Sequence, residues 1–293
     1  MIPVALSTGS VYTYGTARAF ELAAAAGYDG VELIVDDRWD TRQPEYLRRL
    51  SAAHGIPVLS VHSPFGVASG WPRDEVERVK LALDVAEAVG ARTLNLHLPY
   101  RRQDLALAAG WRRWGLPLLP ASAGHRAYLR WLTDGGLAEL QAGTPVSLVV
   151  ENLPMRRVLG RRFSYYALNT WEGLRRFPRL CLDTTHCGTT GDDLLTVYEG
   201  LADRVAHIHL SDYDGKFQHQ PLGRGWLPLG PLLQRLEARG YSGIVVVELT
   251  PHGLPVQDGA KLAAELRRNL DFCRLHLGQA APAPVPEAVA GAE

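Results

Sequence analysis

One phrase recurs along the chain: an amphipathic helical stretch, a glycine, then a short run of β-branched and aliphatic residues. It reads ELAAAAGYDGVELIV, LSAAHGIPVLSVH, VAEAVGARTLNLH, ELQAGTPVSLVVEN and LEARGYSGIVVVEL. The glycines, Gly27, Gly55, Gly90, Gly143 and Gly240, fall where a left-handed residue closes a helix. The apolar runs number eight: VALSTG, VELIV, VLSVH, TLNLH, SLVVEN, RLCLD, VAHIHL and IVVVEL, with helical patterns such as PRDEVERVKLALDVAEAVG and DDLLTVYEGLAD between them. Short, nearly continuous apolar strands alternating with helices make a buried parallel sheet. Eight such units predict an α/β fold, a closed (β/α)8 TIM barrel in a single domain. The alternative, an open doubly wound sheet, lacks its GxGxxG after the first run.

A barrel of this kind needs about 250 residues, and a chain of 293 with 46% hydrophobic residues supplies them. The barrel is expected over residues 1–278, followed by a disordered Ala/Pro-rich tail over 279–293, GQAAPAPVPEAVAGAE. The stretch between LNLHLPY and VSLVVEN holds more than one helix requires. With GWRRWGLPLLP inside it, it is read as an elaborated loop after strand four, over the barrel mouth, packed by Trp111, Trp114 and Trp131. Basic and acidic residues balance at 31 each, which argues against a nucleic-acid or membrane partner. Three cysteines without a CxxC, and no secretory leader or long apolar span, predict a cytoplasmic protein.

In a barrel, the C-terminal strand ends form one rim, and that is where chemistry is done. The runs place Glu32, His62, His97, Glu151, Asp183, His209 and Glu248 there, with His186 and Asp212 just beyond. Residue parity puts Val149 with Glu151, Cys181 with Asp183, His207 with His209 and Val246 with Glu248 on shared faces. Any one polar residue at a strand end is most simply a helix cap. Capping does not explain Glu151, Asp183 and Glu248 together, because carboxylates converging on one rim repel unless a cation or hydrogen bonds hold them. Mixed carboxylate and imidazole donors suit Zn, Mn, Co or Fe better than Ca. His54, His125 and His276 read as ordinary helical residues, and His207 as a core hydrogen-bonding residue one layer deeper.

The motifs VVENLP, CLDTTHCG, HIHLSD followed by HQPLGRG, and VVVELTP resemble the xylose-isomerase-like TIM barrels, over nearly the whole chain up to about residue 278. That group contains sugar and sugar-phosphate isomerases and epimerases and the endonuclease IV branch. The resemblance implies a divalent metal (Mn, Zn, Co or Mg) held by Glu151, Asp183, His209 and Glu248. It implies that His186 contacts substrate or a further metal, that His62 and His97 in HSPF and HLPY match two more metal histidines of the endonuclease branch, and that His219 matches another. Where that branch has an aspartate two residues before His219, this sequence has Phe217, which cannot ligate.

Two functions are expected to compete. The first is a metal-dependent sugar or sugar-phosphate isomerase or epimerase working through an enediolate, with Glu151 and Glu248 as acid and base and with His186, His219, Arg224 and Glu32 contacting a small polyhydroxylated substrate. For Glu32 a hydrogen-bonded place on the barrel floor is an equal expectation. The second is an endonuclease IV-like phosphodiester hydrolase with a multinuclear site. Arginine pairs at 101–102, 112–113, 156–157 and 161–162 follow strands four and five, and they favour an anionic substrate if they face the mouth. A ligand-binding barrel without turnover is disfavoured by the intact carboxylate set, and homo-oligomerisation is left open.

Overall fold

The computed structural model describes residues 1–280 except 67–68, 110–111 and 159, with backbone alone for 103–118 and 158. Trp111 and residues 281–293 of the expected tail lie outside the described residues.

Twelve strands form in chain order: β1 (Val4–Ser7), β2 (Gly30–Ile34), β3 (Val58–His62), β4 (Thr93–Leu96), β5 (Arg102–Ala109), β6 (Arg112–Pro120), β7 (Ser147–Glu151), β8 (Arg156–Val158), β9 (Arg161–Phe163), β10 (Leu180–Asp183), β11 (Val205–Leu210) and β12 (Ile244–Val247). Eight close a parallel barrel in the order β1-β12-β11-β10-β7-β4-β3-β2. They are the eight apolar runs of the sequence. Around them lie α1 (Thr16–Ala26), α2 (Pro44–His54), α3 (Glu75–Val89), α4 (Ala123–Thr133), α5 (Gly136–Ala142), α6 (Trp171–Leu174), α7 (Thr184–Thr190), α8 (Leu194–Leu201), α9 (Leu229–Ala238) and α10 (Gly259–His276). The fold is a single-domain (β/α)8 barrel, and no described helix is long and apolar enough to cross a membrane.

Local chemistry sets the helix ends. Asp74 caps α3 by accepting from the Glu77 amide at 3.1 Å, and Gly90 closes that helix at φ 75°. Gly143 departs from expectation: it is right-handed, at φ −90°. The main core lies between sheet and helices, where Leu6, Val31, Leu33 and Leu94 of the strands meet Phe20, Leu47 and Leu262 of the helices. Each such side chain contributes about 2 kcal/mol on burial. Inside the barrel a separate cluster, Ala5, Leu59, Ile244 and Val246, leaves the upper layers to polar groups.

The long insertion after strand four is elaborated, as expected. It starts as an antiparallel hairpin, β5 with β6, paired from Arg102 opposite Pro120 to Ala109 opposite Arg112, and only then gives α4 and α5. A smaller hairpin, β8 with β9, follows β7. A bridge between Tyr100 and Tyr166 ties the two insertions together at one sector of the rim. Trp131 is not part of the hairpin: it sits on α4, stacked on Tyr128 with ring centroids 5.7 Å apart. Trp114 lies on β6, and its side chain is outside the described residues.

Candidate active site

The strand ends bring four donors into one buried group. Atoms of Glu151, Asp183, His209 and Glu248 lie within 4.8 Å of one another. His209 Nδ1 is the hub, 3.3 Å from Glu151 Oε1, 3.1 Å from Glu248 Oε2 and 3.9 Å from Asp183 Oδ2. Among the further groups that share members with the first are His62 and His97 with Glu151, and His186 and His219 with Asp183. Glu151 spans two of them. Its Oε1 faces His209 and His186, while its Oε2 accepts from Asn95 Nδ2 and lies 3.2 Å from His97 Nε2 and 3.5 Å from His62 Nε2.

Asp183 does two jobs. Its Oδ1 accepts from the His186 amide at 2.7 Å and so starts α7, as a cap should. Its Oδ2 is buried with no hydrogen-bond partner and lies in the donor group. His97 Nε2 is likewise buried and unpartnered despite its closeness to Glu151. Atoms this close yet misaligned for hydrogen bonding are aimed at a common point rather than at each other.

Electrostatics agree. Burial, the largest influence on Glu151, would raise its carboxyl, but His209 and hydrogen bonds from His186, His209 and His62 hold it well below the usual range. Burial acts on Glu248 in the same way, and His209 and His219 bring it down to about 2. Asp183 goes the other way: burial raises it, and the charges of Glu151 and Glu248 add to that against His186 and His219. His186 is lowered by burial but lifted to about 9 by Asp183, Glu151 and Glu248. The oxygen and nitrogen donors of these three buried carboxylates and the His209 imidazole fit a divalent transition ion.

Two of the residues expected to contact substrate stand apart from the cavity, Glu32 in its alternative place on the barrel floor. Glu32 does not reach the cavity. It is fully buried one layer below, taking hydrogen bonds from Ser60 Oγ and His207 Nε2 at 2.8 Å each, with His209 Nε2 at 3.0 Å. Its place is the barrel floor under His209, and His207 is the core residue the parity implied. Arg224 is held outward instead, by Glu265 at 3.1 Å and the Gly253 carbonyl at 3.2 Å. His219 does reach the site, with Nδ1 3.2 Å from Ser211 Oγ and its ring edge-on to His186 at 5.2 Å. Phe217 is 52% exposed, beside the Lys216 ammonium.

Sequence reading missed three residues. Asn152 clamps two strand ends, donating to the Asp183 carbonyl at 3.0 Å and accepting from the Asp183 amide at 2.8 Å. Asn95 shares the inward face of β4 with His97, so parity alone could have flagged it. His125, taken for an ordinary helical residue, lines a cavity of about 320 Å³ that also touches His97 and His186. None of the exposed arginines Arg101, Arg102, Arg156, Arg157, Arg161 or Arg162 lines that cavity, and the side chains of Arg112 and Arg113 are outside the described residues.

Known proteins share this architecture. Fructoselysine 3-epimerase of Escherichia coli O157:H7 is 24% identical over 269 residues, covering 79% of this chain and 84% of its own. The structure of 3-keto-D-glucoside 4-epimerase from E. coli superposes with a TM-score of 0.66 at 18% identity, covering 94% of this chain and 100% of that one. An AP endonuclease of family 2 from Brucella melitensis gives a TM-score of 0.65 at 19% identity, covering 93% and 99%. Fold likeness thus extends to both branches. The family match itself runs over residues 20–274, and the chain belongs to the xylose isomerase-like TIM barrel family.

Proposed function

We propose that this chain is a divalent-metal-dependent sugar isomerase or epimerase that works through an enediolate. The observation that carries the reading is the placement of Glu151 and Glu248. They approach the same His209 nitrogen from β7 and from the end of β12, three strands apart around the rim. Two carboxylates on opposite sides of a bound sugar carbon can remove a proton from one face and return one to the other. The match to fructoselysine 3-epimerase supports the same class.

Glu151, Asp183, His209 and Glu248 are the residues that would hold the ion, with Mn, Zn, Co or Mg in the range their donors suit. When bound, such an ion supplies Lewis-acid polarisation of the substrate carbonyl. His186 donates Nδ1–H to the Asn152 carbonyl at 2.9 Å, which leaves its other nitrogen for a substrate oxygen. A Schiff-base route has no residue to run it: Lys80, Lys216 and Lys261, the lysines of this chain, are all exposed and none lines the cavity. The unpaired, buried Cys181, Cys187 and Cys273 support a reducing, cytoplasmic setting.

The test is proton exchange with solvent. Glu151→Gln and Glu248→Gln are each expected to slow it by about 10²–10⁴-fold. A Glu151→Gln protein that exchanges at the wild-type rate would sink the assignment.

A second reading, phosphodiester hydrolysis, is favoured by one observation: Glu151 also faces His62 and His97, a donor set for a second ion. Phe217 and the absence of the exposed arginines from the cavity weigh against it. About one metal equivalent per chain supports the isomerase, and two or more with cleavage of a phosphodiester supports the hydrolase.

A further inference from the structure

The cavity beside the cluster is lopsided. It meets the metal-ligand candidates only through His97 and His186, then runs outward past the loops after β3, β4 and β7 to the first turns of α3 and α4. Much of its wall is ring surface, from Phe65, Tyr100, Tyr128 and Tyr166. Tyr100 and Tyr166 stack with centroids 4.8 Å apart, and Phe65, 63% exposed, packs 4.7 Å from both His62 and His97. Val79, Leu98, Leu153 and Pro154 add apolar surface. Polar groups share the wall, with Glu75, Arg78, His125 and the Tyr128 hydroxyl toward α3 and α4, and Ser63, His97 and His186 nearer the cluster. Ring and aliphatic surface broken by such groups suits an organic group larger than a bare sugar.

The far end supplies Glu75, Arg78 and His125. Arg78 is buried, donates to the carbonyls of Pro72 and Arg73, and lies 4.0 Å from Glu75, so the pair cancels in charge. His125 Nδ1 is buried with no hydrogen-bond partner in the structure, and its ring leans on Tyr100 at 5.5 Å. Arg78 is the one arginine among the residues lining the cavity, and it is already engaged. Among the described residues that line the cavity, no arginine or lysine is left to pair with a phosphate.

We propose that the substrate is a sugar conjugate: the reacting sugar lies over the carboxylate cluster, and an appended, uncharged cyclic group fills the aromatic cavity, its hydrogen-bonding end meeting His125 and Glu75. This rests on the isomerase or epimerase reading of the site. It goes further in assigning Tyr100, Tyr166, Val79 and His125 to substrate choice.

The experiment compares matched pairs on metal-loaded protein: D-fructose against 1-anilino-1-deoxy-D-fructose, and 3-keto-D-glucose against phenyl 3-keto-β-D-glucoside. The readout is deuterium uptake from solvent together with kcat/KM. At least one conjugate is expected to exceed its free sugar by about tenfold or more, chiefly through KM. Val79→Trp, which fills the cavity, and Tyr166→Ala, which strips one wall, are each expected to lower the conjugate-to-free ratio by about tenfold. Two variants of opposite kind guard against misfolding of either one. If free sugars react as well as every conjugate and both variants leave the ratio unchanged, the proposal is overturned while the epimerase reading stands. If no sugar, free or conjugated, takes up deuterium with any of Mn, Co, Zn or Mg, the site reading falls and the proposal falls with it.

Discussion

Glu32 shows what a single residue's position can and cannot reveal. Parity places it on the inward face with the rim donors, but parity does not give depth. In the structure Glu32 pairs with Ser60, one inward layer below His62, and its carboxylate underpins His207 and His209. A carboxylate behind a metal-ligating imidazole fixes its tautomer and orientation, and losing it costs about 10–100-fold in metal affinity. Glu32→Gln is therefore expected to weaken metal binding by that factor, measured by equilibrium dialysis. Unchanged affinity with a raised KM would return Glu32 to the substrate. Arg224 points to another limit of sequence reading. Its partner Glu265 lies on α10, far along the chain, and no local pattern announces that pair. The four cluster donors were legible because each ends a strand of strong periodicity.

Among the elements, all eight barrel strands could be read from the sequence, because each is a short, mainly apolar run closed by helix and turn signals. The hairpins β5–β6 and β8–β9 could not. They pair in two-stranded sheets separate from the barrel and so fall outside its repeat of helix, glycine and strand. The loop after β11 is ordered by a residue the sequence left between two readings. Asp212 is nearly fully buried and accepts amides from Tyr213, Leu227, Gly223 and Gly225 at 2.8 to 3.1 Å. Capping is its role, whereas Asp183 caps with one oxygen and joins the donor cluster with the other. Asp212→Ala leaves four amides without their acceptor and is expected to cost about 3 kcal/mol, read by urea denaturation. A loss within about 0.5 kcal/mol, the range of a surface change, would contradict this account of the loop.

For the whole molecule, the cluster links metal, protons and stability. Burial depresses His209, but Cys181, Glu32, Glu248 and Glu151 hold its imidazole well above its ordinary value in the metal-free protein. A ligand imidazole must be unprotonated, so the upward shift of His209 sets ligation against its proton, and loading is expected to release protons and to tighten as pH rises. Calorimetry in buffers of different ionisation enthalpy checks this, and zero release would contradict it. The metal-free fold follows the same groups. The raised His186 stabilises it fully below about pH 6.5, and that contribution is lost as pH rises through about 9. The lowered Glu248 contributes above about pH 4.5, and that is lost as pH falls toward about 2. Maximum metal-free stability is expected between those limits, and saturating metal should add about 2.7 kcal/mol at a hundredfold excess over Kd. The central claim is that paired carboxylates exchange a proton beside a sugar carbonyl, with a metal present. The direct measurement is proton NMR of ketose substrates, free and conjugated, incubated in D2O with the metal-loaded protein. The account predicts deuterium at the carbon next to the carbonyl, together with the epimer or isomer, both abolished by chelator. Product without deuterium, or no exchange while a phosphodiester is cleaved, would contradict it.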